Sequence, residues 1–263
     1  MKIGICGLGM VGSAIANYYK GLHIGRSLNE VYFYDRYKMI GSFELLNKAD
    51  IIFVAVPTPF MTNGFDTSEL NDALKNISDG KIVIIKSTVE PGVTDKFQEY
   101  YPNLKIIFNP EFLTESTRDA DFAWPDKQLV GYTEKSYSIT KDVLLMLPRA
   151  PFERIVPAPE AEMVKLMNNS YYAMKVIFAN QIYDFCQKIG LDYDKVLECF
   201  VSDKRITNSH FQIFHKEQRG YGGKCLPKDI KALITLAKII GSPLELLEKV
   251  EELNYRLNGG KKK

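Results

Sequence analysis

Over the first half of the chain, short apolar runs alternate with amphipathic stretches. Residues 2–6, 31–34, 50–56, 81–86, 105–108 and 128–131 are brief runs rich in Ile, Val and Phe, and each is predicted to be a strand. Run 50–56 is apolar almost throughout, as expected of a strand covered on both faces of a sheet. Helical spacing between the runs predicts helices over 13–20 and 67–77 and another ending at residue 100. Strands alternating with helices predict an α/β domain with a doubly wound parallel sheet. After Pro157 and Pro159 the period changes. Met163, Leu166, Met167, Met174, Ile177, Phe178, Ile182 and Phe185 recur at helical spacing over 160–189, and further helices are predicted over 192–201, 229–240 and 244–257. The chain is therefore predicted to divide into residues 1–156, the α/β domain, and 157–263, an all-helical second domain.

Length and composition narrow the choice. The chain has 263 residues, 46% hydrophobic and 25% charged, with a net charge of +2. That size suffices for two modest cores, and the charge favours neither nucleic acid nor an anionic membrane as partner. No apolar run reaches the length needed to span a bilayer, and Met1 leads into an apolar run with only Lys2 before it, which argues against a signal peptide. Cys6, Cys186, Cys199 and Cys225 form no CxxC pair and no metal-like spacing, so free thiols in a reducing cytoplasm are expected and no metal. The ending Gly259-Gly260-Lys261-Lys262-Lys263 has the composition of a solvated tail.

The first strand runs straight into Gly7-Leu8-Gly9-Met10-Val11-Gly12 and then a helix, which is GxGxxG in its required setting. Gly7 would make the tight turn, Gly9 admit a pyrophosphate and Gly12 allow close helix–sheet packing, with the phosphates at the helix N-terminus. The α/β domain is thus predicted to be of the Rossmann type. Asp35 ends the second strand, where an acidic residue would hydrogen-bond the adenosine ribose and repel a 2′-phosphate, favouring NAD over NADP. The 21–30 connection sets Asp35 beyond the usual spacing of about twenty residues, and Arg36 beside it would tolerate a phosphate. Pro57 and Thr58, Thr88, and Glu111 follow the third, fourth and fifth strands. Ligand-binding residues of open α/β sheets lie at such carboxyl ends, so Gly7, Asp35, Thr58, Thr88 and Glu111 are expected on one rim.

The stretch Gly220-Tyr221-Gly222-Gly223-Lys224-Cys225-Leu226-Pro227-Lys228-Asp229 carries the sharpest chemistry. Its glycines admit close backbone approach, and Pro227 suits a helix start. Cys225 then stands just ahead of a helix N-terminus, where the dipole with Lys224 and Lys228 favours thiolate, and Asp229 lies one turn on. The plainer alternative is a glycine-rich helix entry with a buried structural cysteine. On the long helix, Lys165 and Asn169 are i and i+4 and share a face; such a pair is ordinarily solvated surface.

The ordered set GLGMVG, VPTP (56–59), STVEPG (87–92), NPEFLTES (109–116), KLMNNSY (165–171), DKRI (203–206) and GYGGKCLPKD (220–229) resembles the UDP-glucose/GDP-mannose dehydrogenase family across nearly all of residues 1–241. The resemblance implies an NAD-dependent enzyme that oxidises a primary alcohol of a nucleotide sugar to a carboxylate, UDP-glucose to UDP-glucuronate being the expected case, as a cytoplasmic homodimer. It implies that Cys225 is a nucleophile, that Lys165 and Asn169 stabilise oxyanions, that Asp229 orders a water and that Glu111 is a general base, Thr88 helping to hold that water. Met10 and Val11 of the glycine motif, Pro57, Thr58, Thr88, Glu115 and Lys228 would touch the dinucleotide. Glu111, Phe112, Leu113, Lys165, Asn169 and Gly222 would line the substrate site. Several positions depart from the family pattern. Segment 36–49 is short, Gln181 replaces a glutamate, Phe211 stands for a family aromatic, and the loop 211–219 lacks the usual pattern. The family's second dinucleotide-like domain, which grips the UDP, is not in this sequence. Two other readings remain open: a two-electron β-hydroxyacid dehydrogenase, which needs no cysteine after GYGG, and a silent NAD-binding module.

Overall fold

A computed structural model of the chain describes residues 1–21, 30–215 and 218–259. Most of the 21–30 connection, residues 216–217 of the 211–219 loop and the closing lysines of the tail lie outside the described residues. The chain divides into two compact units, Met1–Met61 with Phe65–Lys165, and Thr62–Gly64 with Leu166–Lys263.

The first unit opens with β1 (Lys2–Cys6), α1 (Met10–Tyr19) and β2 (Glu30–Asp35), then β3 (Ile40–Gly41), α2 (Phe43–Leu46) and β4 (Ile51–Val54). Two-residue strands β5 (Phe60–Met61) and β6 (Gly64–Phe65) precede α3 (Ser68–Asn76), β7 (Ile82–Ile85), α4 (Val93–Tyr100) and β8 (Lys105–Phe108). Next come α5 (Arg118–Ala123), β9 (Lys127–Tyr132), α6 (Thr140–Met146), β10 (Phe152–Pro157) and the start of α7 (Ala158–Ile189). The six predicted strands are all present. The pairs β3 with α2 and α6 with β10, together with the short α5, were not predicted; their segments lack a sustained apolar period.

The main sheet has eight strands in the order β10-β9-β8-β7-β4-β1-β2-β3. From β8 to β2 the strands are parallel, and the order reverses between β1 and β4, the switch point of a doubly wound sheet. Tyr34, Cys6, Val54, Ile85 and Phe108 stand in lateral register at the carboxyl ends, which puts the residues after them on one edge. Two joints are antiparallel, β8 with β9 and β2 with β3. The chain leaves β8 at the rim, and six-residue α5 is too short to carry it back across the sheet, so β9 runs the other way.

Alternate residues of each strand feed two cores, which is why the strands are apolar throughout. Ile52, Val54, Val83, Ile85, Ile106 and Phe108 pack with Leu46, Leu70, Leu74 and Phe97, and with Ala158 and Ala161 of α7. Ile3, Ile5, Phe53, Ile84, Ile107 and Val130 pack with Ile15, Tyr19, Phe122 and Val143. Buried polar groups are matched across these layers. Glu162 of α7 accepts from the Gly92 and Thr94 backbone N–H groups (2.6 and 2.9 Å) and from the Thr94 hydroxyl, capping the N-terminus of α4.

In the second unit, α8 (Tyr193–Phe200), α9 (Leu226–Ile239) and α10 (Glu245–Leu257) accompany the remainder of α7. Ala173, Val176 and Ile177 of α7 pack with Ile230 and Ile234 of α9, Val250 of α10 and Tyr221. Phe211 is buried beside Ala179, Cys186, Tyr193 and Ile213.

Gln98, buried at the end of α4, joins three segments. Its Nε2 donates to the Leu104 and Tyr101 carbonyls, and its Oε1 accepts from the Ile106 N–H and the Thr133 hydroxyl. Gln98→Leu keeps the volume and orphans these groups, so unfolding in urea is expected to show a loss of about 2–4 kcal/mol with an unchanged m-value.

Candidate functional site

The glycine motif forms the expected turn. Gly7 has φ +88° and its N–H donates to the Tyr34 carbonyl at 2.8 Å, while a Cβ at Gly12 would overlap the Gly7 carbonyl oxygen. Gly9 is the N-cap of α1, and a Cβ there would meet nothing within 4 Å, so the space over the first turn is open. Met10 and Val11 are half-buried in that turn. Buried Asp35 accepts from the Leu8 N–H (2.7 Å) and the Lys38 N–H (2.8 Å), which fixes its carboxylate beside the loop. Arg36, the residue that could have welcomed a 2′-phosphate, is paired with Glu69 at 3.7 Å and with Asp72. An open helix N-terminus with a fixed carboxylate beside it fits NAD, and the neighbouring arginine is already paired with acidic side chains.

Beside this cradle, the loops after β4 and β7 are tied together. The Thr58 hydroxyl donates to the Thr88 carbonyl and the Ser87 hydroxyl to the Val56 carbonyl, each at 2.7 Å. Thr58 and Thr88 are buried; Pro57 and Glu115 are exposed.

The loop after β8 holds a buried charge cluster. Lys165 Nζ, on the last turn of α7 within the first unit, donates to Glu111 Oε1 at 2.7 Å and to the Glu111 carbonyl at 2.8 Å. Glu111 Oε2 accepts from the Leu113 N–H at 2.8 Å. Both side chains are at most 8% exposed, so the Lys–Asn pair on α7 is not solvated surface. Burial alone would push the Glu111 carboxyl up, but Lys165, the Leu113 N–H and Lys86 outweigh it and hold it below the usual carboxylate range. Half-buried Phe112 stacks under Lys127 (4.1 Å) and lies 5.7 Å from Lys165.

Lys86 is a further member of this cluster, one that no motif marks. It is buried, donates to Asn109 Oδ1 at 2.7 Å and to the Pro110 carbonyl at 3.2 Å, and so braces the turn that presents Glu111. Its signal in the sequence was a charged residue closing an otherwise apolar strand. Burial, and next the charges of Glu111 (raising) and Lys165 (lowering), bring its ammonium down to about 7.

In the second unit, Cys225 is the exposed N-cap of α9 and in no disulfide. The buried structural cysteine is thus excluded. Pro227 lies in the first helical turn, and the Asp229 N–H donates to the Cys225 carbonyl at 3.0 Å. Asp229 is fully buried; its carboxylate accepts from Asn169 Nδ2 at 2.5 Å and from Lys228 Nζ at 2.7 Å. Lys228, expected at the dinucleotide, is held against Asp229 in the structure. Gly222 is half-buried in the preceding loop. Lys165 and Asn169, on consecutive turns of α7, thus each serve a buried polar cluster, one in each unit. Among the described residues no group of acidic, histidine or cysteine side chains could hold a metal ion, and no helix is long and apolar enough to cross a membrane.

Comparison with known proteins covers both units. The UDP-glucose/GDP-mannose dehydrogenase family, NAD binding domain, matches residues 26–144, and the same family's central domain matches 159–256. The cofactor is accordingly NAD. UDP-glucose 6-dehydrogenase YwqF of Bacillus subtilis is 32% identical over 221 residues, 80% of this chain and 49% of its own length. UDP-glucose 6-dehydrogenase AglM of Haloferax volcanii is 30% identical over 302 residues, 97% of this chain and 69% of its own. The solved UDP-glucose dehydrogenase of Pyrobaculum islandicum superimposes with a TM-score of 0.77 at 25% identity, covering 97% of this chain and 68% of that one. The chain thus spans about half the length of the Bacillus relative.

Lys86 yields a test by proton linkage. Its folded value lies below the usual 10.5, so the folded state binds fewer protons than the unfolded one between about pH 7 and 10.5. The stability cost is therefore full below pH 7 and is relieved as pH rises. Relative to Lys86→Met, the wild type is expected to gain stability with pH across that window, by at most about 1.4 kcal/mol per pH unit for one proton. Chemical denaturation at a series of pH values measures the difference in slope.

Proposed function

The chain belongs to the UDP-glucose/GDP-mannose dehydrogenase family, and on that premise we propose that it forms the catalytic part of an NAD-dependent nucleotide-sugar dehydrogenase. The reaction assigned is oxidation of a sugar primary alcohol to a carboxylate, with UDP-glucose as the preferred substrate. The observation that carries this reading is Cys225 itself: an exposed thiol at a helix N-cap, one turn from a buried carboxylate held by an amide and an ammonium.

NAD, when bound, supplies the two-electron oxidising power that the reaction uses twice. The chain supplies the rest. Cys225 adds its sulfur to the aldehyde carbon, giving a thiohemiacetal, and after the second oxidation holds the acyl group as a thioester. Water then cleaves the C–S bond, forming the carboxylate and restoring the thiol. Lys165 and Asn169 are the donors to oxygen atoms that gain charge at the sugar carbon. Asp229 holds a water for proton transfer. Glu111, kept ionised by Lys165, takes the proton of the hydrolytic water, which Thr88 helps to hold. Phe112 and Leu113 of the first unit and Gly222 of the second are assigned to substrate binding.

The protein is also proposed to work in the cytoplasm as a homodimer. Met167, Phe178 and Phe185 expose 63, 49 and 60% of their surface along α7, an apolar stripe that a second copy would cover. A stable monomer by sedimentation at micromolar concentration would count against this.

The covalent chemistry is tested by stoichiometry. Wild type is expected to form about two NADH per nucleotide sugar consumed, and Cys225→Ser about one at most, because a serine hydroxyl ionises far less readily than a thiol. One NADH per sugar from wild type, or an unimpaired serine variant, would overturn the assignment.

A further inference from the structure

The mechanism requires Cys225 at one place, yet the residues just before it, Gly220 to Lys224, belong to neither a helix nor a strand. An irregular loop of this kind has no internal ladder of hydrogen bonds to define it. Something outside the loop must hold it, and the second unit contains a clamp with that geometry.

Asn254, on α10, is 6% exposed, and its side-chain amide meets the backbone of Tyr221 in both directions. Its Oδ1 accepts from the Tyr221 N–H at 2.9 Å and its Nδ2 donates to the Tyr221 carbonyl at 3.0 Å, as a paired strand would. Among neutral side chains, only a carboxamide, Asn or Gln, offers a donor and an acceptor at that spacing. The Tyr221 ring is buried and its hydroxyl donates to Glu251 Oε2 at 2.6 Å, one helical turn before Asn254. Glu251 also pairs with Lys231 of α9 at 3.3 Å, so the clamp is anchored to the helix that Cys225 caps. Gly220 completes the fit. Its φ is +71°, and a Cβ there would collide with Asn254 Oδ1. The glycine is therefore needed both for its backbone conformation and for the close approach of the asparagine.

We propose that Asn254 is a positioning residue for Cys225: its carboxamide fixes the Tyr221 backbone, and through it the 220–225 loop that delivers the cysteine to the N-terminus of α9. This rests on the assignment of Cys225 as nucleophile for its catalytic consequence, but the positioning itself is measurable without turnover.

The experiment uses the full chain carrying Cys199→Ser, which leaves Cys225 as the exposed thiol, Cys6 and Cys186 being buried. Asn254→Asp keeps size and the acceptor for the Tyr221 N–H while setting a carboxylate against the Tyr221 carbonyl. Tyr221→Phe, which removes only the hydroxyl bond to Glu251, is the milder variant should Asn254→Asp fail to fold. Asn258→Ala is the control, since Asn258 donates to the Asn254 backbone carbonyl and not to the loop. Iodoacetamide alkylation of Cys225 is followed against pH. Loss of placement at the helix N-terminus is expected to move the alkylation profile to higher pH in Asn254→Asp, and in Tyr221→Phe by less, with the control unchanged. In parallel, kcat is expected to fall roughly tenfold or more while KM for NAD stays within about twofold. A folded Asn254→Asp or Tyr221→Phe with the wild-type alkylation profile overturns the proposal. If the profile shifts but wild type turns over no nucleotide sugar, the clamp stands and the assigned reaction fails.

Discussion

A carboxylate sealed away from water must be matched by positive charge or give up its own, and much of the first unit is arranged around meeting that demand at Glu111. Lys165 reaches it from α7 and Lys86 stands beside it from the end of β7. Lys165 takes the ion pair, while Lys86 carries a cost that comes first from its burial, is partly offset by Glu111 and is added to by Lys165. The arrangement holds Glu111 ionised and so able to accept a proton. It also fixes α7 to the loop after β8 by a bond too deep for salt to weaken much. Position and charge are thus secured by the same contacts.

One turn further along α7, Asn169 answers a second buried carboxylate, Asp229. The long helix therefore serves both polar clusters with residues four apart, and the i, i+4 spacing in the sequence is the visible trace of that duty. The clusters differ in kind. Both have a lysine ammonium at 2.7 Å, but that of Glu111 comes from a distant helix and is joined by a backbone N–H, whereas that of Asp229 comes from its own neighbour Lys228 and is joined by a neutral amide.

How much of this was open to reading from the sequence depended on whether the information was local. The strands of the parallel core were legible because both faces are covered and the apolar runs are unbroken. The glycine turn after β1 was legible because its backbone demands are met at fixed offsets. Pro227 marks helix α9 in the sequence, and the helix starts three residues before the predicted onset, at Leu226. What could not be read was pairing between distant segments. The antiparallel return of β9 follows from the shortness of α5 and leaves no mark on β9 itself. Lys86 reads as the polar end of a strand, and its partners stand 23 and 24 residues away. Asn254 reads as one polar residue on an amphipathic helix, and its meaning appears only when Tyr221 is set against it.

The capping of α4 by Glu162 makes one cooperative block of two helices that are 58 residues apart at their nearest ends, Tyr100 and Ala158. Neither can open alone at low cost: losing α4 would strand a buried carboxylate, and lifting the first turns of α7 would bare the amides that it covers. The burial that raises the Glu162 carboxyl above its ordinary range lets a proton substitute for part of that contact as the medium acidifies. The exchange of the Gly92 and Thr94 amide protons with solvent thereby becomes a gauge of whether the foot of α7, three residues from Lys165, is seated.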